Sequence, residues 1–267
     1  MTSLTRLYAG RALQIVVTGV GAVTPVGIGG EEAYRAMCAG KSGLVRLPAW
    51  ADEYPAQVAG VVNFDAKANG LKGKTISRNA RYTHFALVAA QQAIKDAGLD
   101  TATVNQERFG CIIGSGIGGV EWFENNCNAF SAGGGGYASL RNVEPFLIPA
   151  LIANTASGMV AIAHGAKGPN YCVTTACASG THSIGSALKH MRDGEADVML
   201  CGGAEAALTP LCYAGFCQLT AMVTKFNDAP ETASRPFDKE RAGFVMSEGA
   251  GVLLLETEEH ALARYIY

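Results

Sequence analysis

Two cysteines, several small residues and a histidine lie in the stretch Y-C-V-T-T-A-C-A-S-G-T-H, which occupies residues 171–182. A cysteine can act as a nucleophile, form half of a disulfide, bind a metal or fill space in a core. Cys177 is the candidate for chemistry, because the pattern predicts a short strand before it and a helix after it. A residue at such a junction lies at a helix N-terminus, where backbone N–H groups and the helix dipole stabilise a thiolate and an oxyanion.

The neighbours of Cys177 fit a nucleophile but leave a structural role open. Small residues at positions 176 and 178–180 let a substrate reach the sulfur. His182 follows about one and a half helical turns later and is predicted to point away from the sulfur, so we do not expect it to be the general base. From the local pattern alone, a nucleophile and a buried structural thiol both remain possible. Surface or packing roles are expected for the other histidines, which fall on predicted helices: His84, His164, His190 and His260.

The eight cysteines include no C-x-x-C pair and no Cys/His spacing typical of zinc sites. Cys111 and Cys201 lie within apolar runs, and we expect Cys172 to lie in the core or at an interface. This usage is typical of a reducing compartment. No metal site is predicted.

Two glycine patterns raise the possibility of a nucleotide site. Residues 114–119 match G-x-G-x-x-G after a predicted strand, whereas the pattern that begins at Gly19 lacks the third glycine. A dinucleotide site also needs an acidic residue at the end of the next strand, about 20 residues on, and that region is a glycine-rich loop. A tight structural turn is therefore the better interpretation, and no nucleotide cofactor is predicted.

Composition indicates a globular enzyme. The chain has 267 residues, of which 49% are hydrophobic and 16% charged. A formal net charge of −2 gives no broad basic surface for nucleic acid or an anionic membrane. No apolar run approaches the roughly 20 residues that span a bilayer. The first residues carry two arginines and no acidic residue, which weakly resembles an organellar presequence, although an ordinary terminus fits better.

Alternating strand and helix patterns predict an α/β layered fold and one domain. Residues 131–139, which include four consecutive glycines, are expected to form a mobile loop. Strands are predicted over 14–19, 108–114, 171–176, 196–201, 243–246 and 251–256. Helices are predicted over 31–39, 83–97, 149–164, 178–192 and 256–263.

Eight motifs in order resemble those of the β-ketoacyl-acyl-carrier-protein synthases of the elongating type. The resemblance extends from about residue 14 to the end of the chain, and it identifies Cys177 as the nucleophile. The motifs are V-V-T-G-V-G-A-V-T-P-V-G, G-S-G-I-G-G, G-P-N, T-A-C-A-S-G, G-E-A-D-V-M, G-G-A-E-A, A-S-R-P-F-D-K-E-R and G-F-V-M-S-E-G-A-G.

The resemblance implies a thiolase-like fold, in which two similar α/β halves form a five-layer αβαβα structure that dimerises. Residues 1–13 would be an N-terminal extension, and residues 14–267 the N-terminal half. The family moves an acyl chain from the phosphopantetheine of acyl carrier protein to the cysteine. Malonyl carrier protein then loses carbon dioxide, and its carbanion attacks the acyl-enzyme in a decarboxylative Claisen condensation. No cofactor beyond the carried phosphopantetheine is implied.

The resemblance also assigns site residues by motif position. Ile117 and Phe216 would line the acyl pocket, and Leu147 would reach the pocket of the partner subunit. Basic positions that would dock the acidic carrier protein are Arg78, Arg81 and Arg141. Tyr82 and Thr220 occupy two further positions that are basic in the family.

The family completes its site with two histidines, a lysine and a phenylalanine loop in the second half, and we expect the chain ending at Tyr267 to lack condensing activity by itself. One alternative is a non-catalytic partner of a full-length synthase, which the retained Cys177 disfavours. Another is a polyketide ketosynthase or thiolase relative, although S-R-P-F-D-K-E-R favours the fatty-acid type. The expected compartment is the cytoplasm of a bacterium, or the mitochondrial or plastid matrix of a eukaryote.

Overall fold

The computed structural model describes the backbone of residues 7–8 and 11–265 and the side chains of residues 13–264. The predicted presequence-like segment therefore lies largely outside the described residues. The strands are β1 Leu7–Tyr8, β2 Arg11–Ala12, β3 Ile15–Thr24, β4 Gly27–Ile28, β5 Leu44–Arg46, β6 Val58–Gly60, β7 Phe109–Gly114, β8 Asn170–Tyr171, β9 Val198–Glu205 and β10 Gly249–Thr257. The helices are α1 Gly30–Cys38, α2 Gly73–Arg78, α3 Arg81–Asp96, α4 Val120–Ala132, α5 Leu147–Leu151, α6 Thr155–His164, α7 Ser179–Arg192, α8 Pro210–Gln218 and α9 Glu258–Tyr265.

A six-stranded mixed sheet in the order β4-β3-β10-β9-β7-β8 organises the molecule. Strand β10 pairs antiparallel with both β3 and β9, whereas β9, β7 and β8 run parallel. The parallel strands end at a common edge of the sheet, which is where α/β proteins place their ligand sites. The α/β class predicted from the sequence is confirmed.

Helices cover both faces of this sheet. Cys111 and Ile113 of β7 pack with α3 and α6, whereas Ile112 points to the opposite face and packs with α7. Strand β9 alternates in the same way, with Val198 and Leu200 on the α3 face. Because both faces are buried, these strands are almost continuously apolar, as strands covered by helices on both sides usually are.

The glycine pattern that begins at Gly19 allows close helix packing. A Cβ atom at Gly21 of β3 would lie 1.8 Å from the carbonyl oxygen of Ala89 in α3, so only glycine lets this helix pack directly on the strand. The burial of ten α3 residues follows from that close contact. Close packing of α3 on β3 explains this motif without a bound phosphate.

Several predicted elements differ in the structure. The single helix predicted over 149–164 is two helices, α5 and α6, because Ile152 is extended (ψ 134°) and interrupts the helical backbone. Within the predicted strand 171–176, only Tyr171 pairs with a strand of the sheet, since β8 is an edge strand that meets β7 at two positions, and Thr175 forms only a bridge to Cys177.

The two strands predicted near the C-terminus are one strand, β10, and residues 243–246 contribute only a bridge between Phe244 and Met222. Gly243, at φ 136°, turns the chain before that bridge. The predicted loop 131–139 is shorter than expected, because α4 extends to Ala132 and a 3-10 turn begins at Tyr137.

A buried carboxylate anchors α9 to the sheet. Glu256 is fully buried and accepts hydrogen bonds from Thr18, from His260 at 2.6 Å and from Arg264 at 2.6 and 2.8 Å. Burial alone would raise the pKa of Glu256, but these donors outweigh it and lower the pKa to about 2. Arg264 also donates to the carbonyl of Ala97 after α3, so one network joins α9, β10 and α3. Among the described residues, no helix is both long and apolar enough to cross a membrane.

Candidate active site

Cys177 lies in a tight turn that leads into α7. Ala176 has φ 51°, a left-handed conformation that costs a residue with a Cβ about 1–2 kcal/mol. The buried side chain of Ser179 holds this turn: its hydroxyl accepts the N–H of Thr175 at 2.9 Å and donates to the carbonyl of Ala176 at 2.7 Å. The turn leaves Cys177 exposed, one residue before the capping position of the helix.

The start of α7 rests directly on the strand ends. A Cβ at Gly114 of β7 would lie 2.5 Å from the carbonyl oxygen of Ser179, and one at Gly203 of β9 would lie 2.9 Å from the Cα of Gly180. These glycines therefore allow the N-terminus of the helix to sit at the edge of the sheet. The N–H groups of its first turn and its dipole favour negative charge beside Cys177, which is the condition for a nucleophilic thiolate.

A cavity of about 890 Å³ opens beside the sulfur. Cys177, Ile117 and Phe216 all line it, so the structure brings together three of the residues that the sequence proposed for the site. Phe216 packs edge-on against Phe244, with ring centroids 5.6 Å apart. The walls are mostly apolar, which suits an alkyl chain, and the thiol lies among them.

The second glycine pattern encloses a carboxylate of the protein itself. Glu205 at the end of β9 accepts the N–H groups of Gly116 at 2.7 Å and Ile117 at 3.0 Å, and the Ser115 hydroxyl at 3.1 Å. Burial raises the pKa of Glu205, and these donors oppose the rise. The groups that a phosphate would need are occupied, which favours a structural turn over a nucleotide site.

The sequence did not predict the contacts of Glu205, and it indicated Ser179 only as a small residue beside the sulfur and not as the residue that holds the turn. Glu205 ends an apolar run that begins at Val198, and an acidic residue in that position is a detectable signal. Ser179 gives no comparable signal, because serine is common at the start of helices.

The predicted carrier-docking arginines have different surroundings. Arg78, exposed at the end of α2, stacks over the ring of Phe146 at 4.7 Å, and Arg141 is exposed on the 3-10 turn. Arg81 instead forms a two-pronged ion pair with the buried Glu248 at 2.7 and 2.9 Å and also donates to the carbonyl of Val62. This internal role competes with docking, which stays a prediction for all three arginines.

Tyr82 does not lie on the surface. It is fully buried, its hydroxyl donates to the carbonyl of Ile152 at 2.6 Å, and burial raises its pKa to about 12. Tyr82 therefore offers no exposed group to a carrier protein. Thr220, in contrast, is exposed.

Leu147 begins α5, is half-buried and does not line the cavity beside Cys177. Its expected role in a partner subunit stays a prediction. Cys172 is also half-buried, and its thiol lies 3.5 Å from the carbonyl oxygen of Val173.

Three of the described histidines contact polar side chains other than Cys177: His182, His190 and His260. His182 Nδ1 lies 2.7 Å from the Thr175 hydroxyl, so it braces the segment before the turn. His190 lies between Tyr171 and Glu195 on the surface. Burial lowers the pKa of both His84 and His164. Among residues 13–264, no group of three or more His, Cys, Asp or Glu side chains could hold a metal ion.

Comparison with known proteins gives a consistent result. Residues 12–261 match the family described as Beta-ketoacyl synthase, N-terminal domain. The 3-oxoacyl-(acyl-carrier-protein) synthase 2 of Synechocystis sp. is 45% identical over 253 residues, which are 94% of this chain and 59% of the relative. The protein of the same name from Coxiella burnetii is 42% identical, with the same coverage.

Solved structures agree. A type II polyketide ketosynthase, solved in complex with its acyl-carrier protein and bound to the hexaketide, superposes with a TM-score of 0.84 at 32% identity, covering 95% of this chain and 60% of that one. A β-ketoacyl synthase from Burkholderia phymatum gives 0.83 at 31% identity, with 95% and 61% covered. The thiolase-like fold class is thereby confirmed, and the chain spans about 59% of the length of the curated relatives it matches.

Proposed function

Because the chain belongs to the beta-ketoacyl synthase family, we propose that it provides the acyl-accepting site of a 3-oxoacyl-(acyl-carrier-protein) synthase of fatty acid elongation. The observation that carries the proposal is the exposed Cys177, held at the start of α7 and facing a largely apolar cavity. An alkyl chain fits such a cavity, and a thiolate fits such a position.

The first step is transfer of an acyl chain to the cysteine. The thiolate of Cys177 attacks the carbonyl carbon of a thioester on the phosphopantetheine of acyl carrier protein. A new carbon–sulfur bond forms, the bond to the phosphopantetheine sulfur breaks, and that sulfur leaves as a thiolate that takes up a proton. N–H groups at the start of α7 stabilise the oxyanion that forms in between.

The second step is condensation. Malonyl carrier protein loses carbon dioxide, and the resulting carbanion attacks the acyl-cysteine carbonyl, which releases the Cys177 thiolate and forms the longer 3-oxoacyl product. We place the histidines that assist decarboxylation in the part of the longer relatives that this chain does not span. The chain's own contribution is then the acyl-enzyme, with Ile117 and Phe216 against the acyl chain.

Acyl carrier protein is the proposed partner. Arg78 and Arg141 are exposed cations suited to an acidic carrier, and one similar structure holds a carrier protein bound to its ketosynthase. A homodimer, in which Leu147 reaches the partner's pocket, belongs to the same proposal. The compartment is proposed as the cytoplasm for a bacterial source and an organellar matrix for a eukaryotic one.

A polyketide ketosynthase is the second candidate, supported by the polyketide enzyme among the similar structures. The curated relatives, named 3-oxoacyl-(acyl-carrier-protein) synthase 2 and 40–45% identical to this chain, support fatty acid elongation as the first candidate.

The proposal is tested by incubating the chain with acyl carrier protein that bears a saturated acyl group, with acyl coenzyme A, and with a carrier-bound polyketide mimic. We expect acylation from the saturated carrier thioester to be the fastest and to disappear in Cys177→Ser at equal protein. Faster acylation from coenzyme A would favour a thiolase-like enzyme, and faster acylation from the polyketide mimic would favour the second candidate. A wild-type chain that none of the donors acylates would contradict the proposed function.

A further inference from the structure

Glu205 organises the loop that follows β7. One of its carboxylate oxygens accepts the N–H groups of both Gly116 and Ile117, and the other accepts the Ser115 hydroxyl. The Ser115 oxygen in turn accepts the N–H of Gly118 at 3.0 Å. The N–H groups of residues 116–118 are therefore bound, directly or through Ser115, by a single side chain from a neighbouring strand.

The loop carries a wall of the cavity. Ile117 is 39% exposed and lines the cavity together with Cys177. A side chain so open to the cavity has few core neighbours to fix it, and its place depends on the backbone that bears it. That backbone is held by Glu205 at the N–H of Ile117 itself.

We propose that Glu205 is a positioning residue for acyl-chain specificity, which acts by fixing the backbone of Gly116 and Ile117 and so the place of the Ile117 side chain in the acyl cavity. The inference rests on the proposed function, because it concerns the acyl chain that Cys177 receives. Glu205 need not touch the substrate, since the effect passes through Ile117.

The shape of an apolar pocket determines which chain lengths it accepts. One methylene group too many or too few changes a rate about 10-fold to 200-fold. A shift of Ile117 comparable to a methylene group would therefore alter the preference between short and long chains. A role in stability alone would lower acylation by all chains equally.

The experiment compares Glu205→Gln, which keeps the shape but replaces a charged acceptor by a neutral amide, with Ile117→Ala and the double variant. Acylation of Cys177 is measured as kcat/KM with hexanoyl and tetradecanoyl carrier protein. We expect Glu205→Gln to change the ratio of the two values by about tenfold. In the Ile117→Ala background the same substitution is expected to change the ratio by less than about twofold, since the side chain it positions is gone.

Glu256→Gln is the matched control. Glu256 also lies near the end of a strand of the sheet and accepts hydrogen bonds from several donors, but it holds α9 and not the loop. It should lower stability without changing the chain-length ratio. An unchanged ratio in both Glu205→Gln and Glu205→Ala, or an equal change in Glu256→Gln, would overturn the inference.

Hydrogen exchange of the backbone amides separates this inference from the proposed function. The Gly116 and Ile117 amides should exchange at least about tenfold faster in Glu205→Gln than in the wild type. If the glutamine retains a hydrogen bond to the loop, the same result is expected in Glu205→Ala. If the wild type accepts no acyl group, the proposed function fails, while faster exchange would still support the positioning of Ile117. Unchanged exchange would refute the positioning role, whether or not Cys177 is acylated.

Discussion

Substituting Ser179 by alanine should impair Cys177 without removing any atom of the nucleophile. The Ser179 hydroxyl makes two hydrogen bonds to the turn, at 2.9 Å and 2.7 Å, and the residue is 4% exposed. At about 1 kcal/mol for each hydrogen bond, Ser179→Ala should lower the free energy of unfolding by about 2 kcal/mol. The left-handed Ala176 would lose the group that holds it, so part of this loss falls on the turn itself.

The consequence for reactivity follows from the size of that loss. If about 1.4 kcal/mol of it disfavours the reactive geometry, the rate of Cys177 modification falls about tenfold. The assay is alkylation of Cys177 by iodoacetamide, followed by peptide mass spectrometry at a concentration of urea where the variant remains folded. Alkylation needs neither carrier protein nor condensation, so it reports on the turn alone.

Ser183→Ala is the control for this prediction. Ser183 lies one turn later in α7, is fully buried, and donates to the Ser179 carbonyl at 2.8 Å. By the same arithmetic, loss of its hydrogen bond to Ser179 should lower the free energy of unfolding by about 1 kcal/mol, and the alkylation rate should be unchanged. Equal alkylation rates in the two variants would refute the claim that Ser179 holds the reactive turn.

Three further predictions concern the framework of the site. The folded-state pKa of Glu256 is about 2 against an ordinary 4.5, so the ionised carboxylate contributes about 3 kcal/mol to the free energy of unfolding above pH 4.5, and this contribution is lost as the pH falls toward 2. In urea unfolding, Glu256→Gln should therefore be less stable than the wild type and its stability should vary less with pH over that range. The same pH dependence as the wild type would contradict this prediction. Gly114→Ala should lower the free energy of unfolding by about 1–3 kcal/mol and slow Cys177 alkylation, because the new Cβ would lie 2.5 Å from the Ser179 carbonyl oxygen. An alkylation rate equal to that of the wild type would show that Cys177 reactivity does not depend on the close contact between α7 and β7. Arg81→Ala should lower the free energy of unfolding by about 2 kcal/mol, because it removes the ion-pair partner of Glu248. Arg141→Ala should leave the free energy of unfolding unchanged and weaken carrier binding about threefold in titration calorimetry, because Arg141 is exposed. Weaker carrier binding in Arg81→Ala and lower stability in Arg141→Ala would contradict this assignment.

The sequence was most informative where residues obey a local rule. The apolar runs around Cys111 and Cys201 predicted the buried strands, because strands covered on both faces have little polar content. Helix α3 was predicted within two residues at its start and one at its end, since Gly98 follows it. Family motifs placed Ile117 and Phe216 beside Cys177, and the cavity contains all three.

The sequence could not predict contacts between distant segments. Glu205 and the glycine loop are separated by about ninety residues and meet only because β9 and β7 are neighbours in the sheet. The short β8 and the break between α5 and α6 likewise depend on the direction that the following segment takes in the fold, which the local sequence pattern does not indicate. The internal role of Arg81 follows from Glu248, 167 residues away.

The most direct test of the central claim is to locate the acyl group on the chain. After incubation with saturated acyl carrier protein, the wild type is digested and its peptides are analysed by mass spectrometry before and after treatment with neutral hydroxylamine, which cleaves thioesters. The account predicts a hydroxylamine-sensitive acyl group on Cys177 and on no other cysteine. An acyl group on Cys172 or another thiol, with Cys177 unmodified, would contradict it.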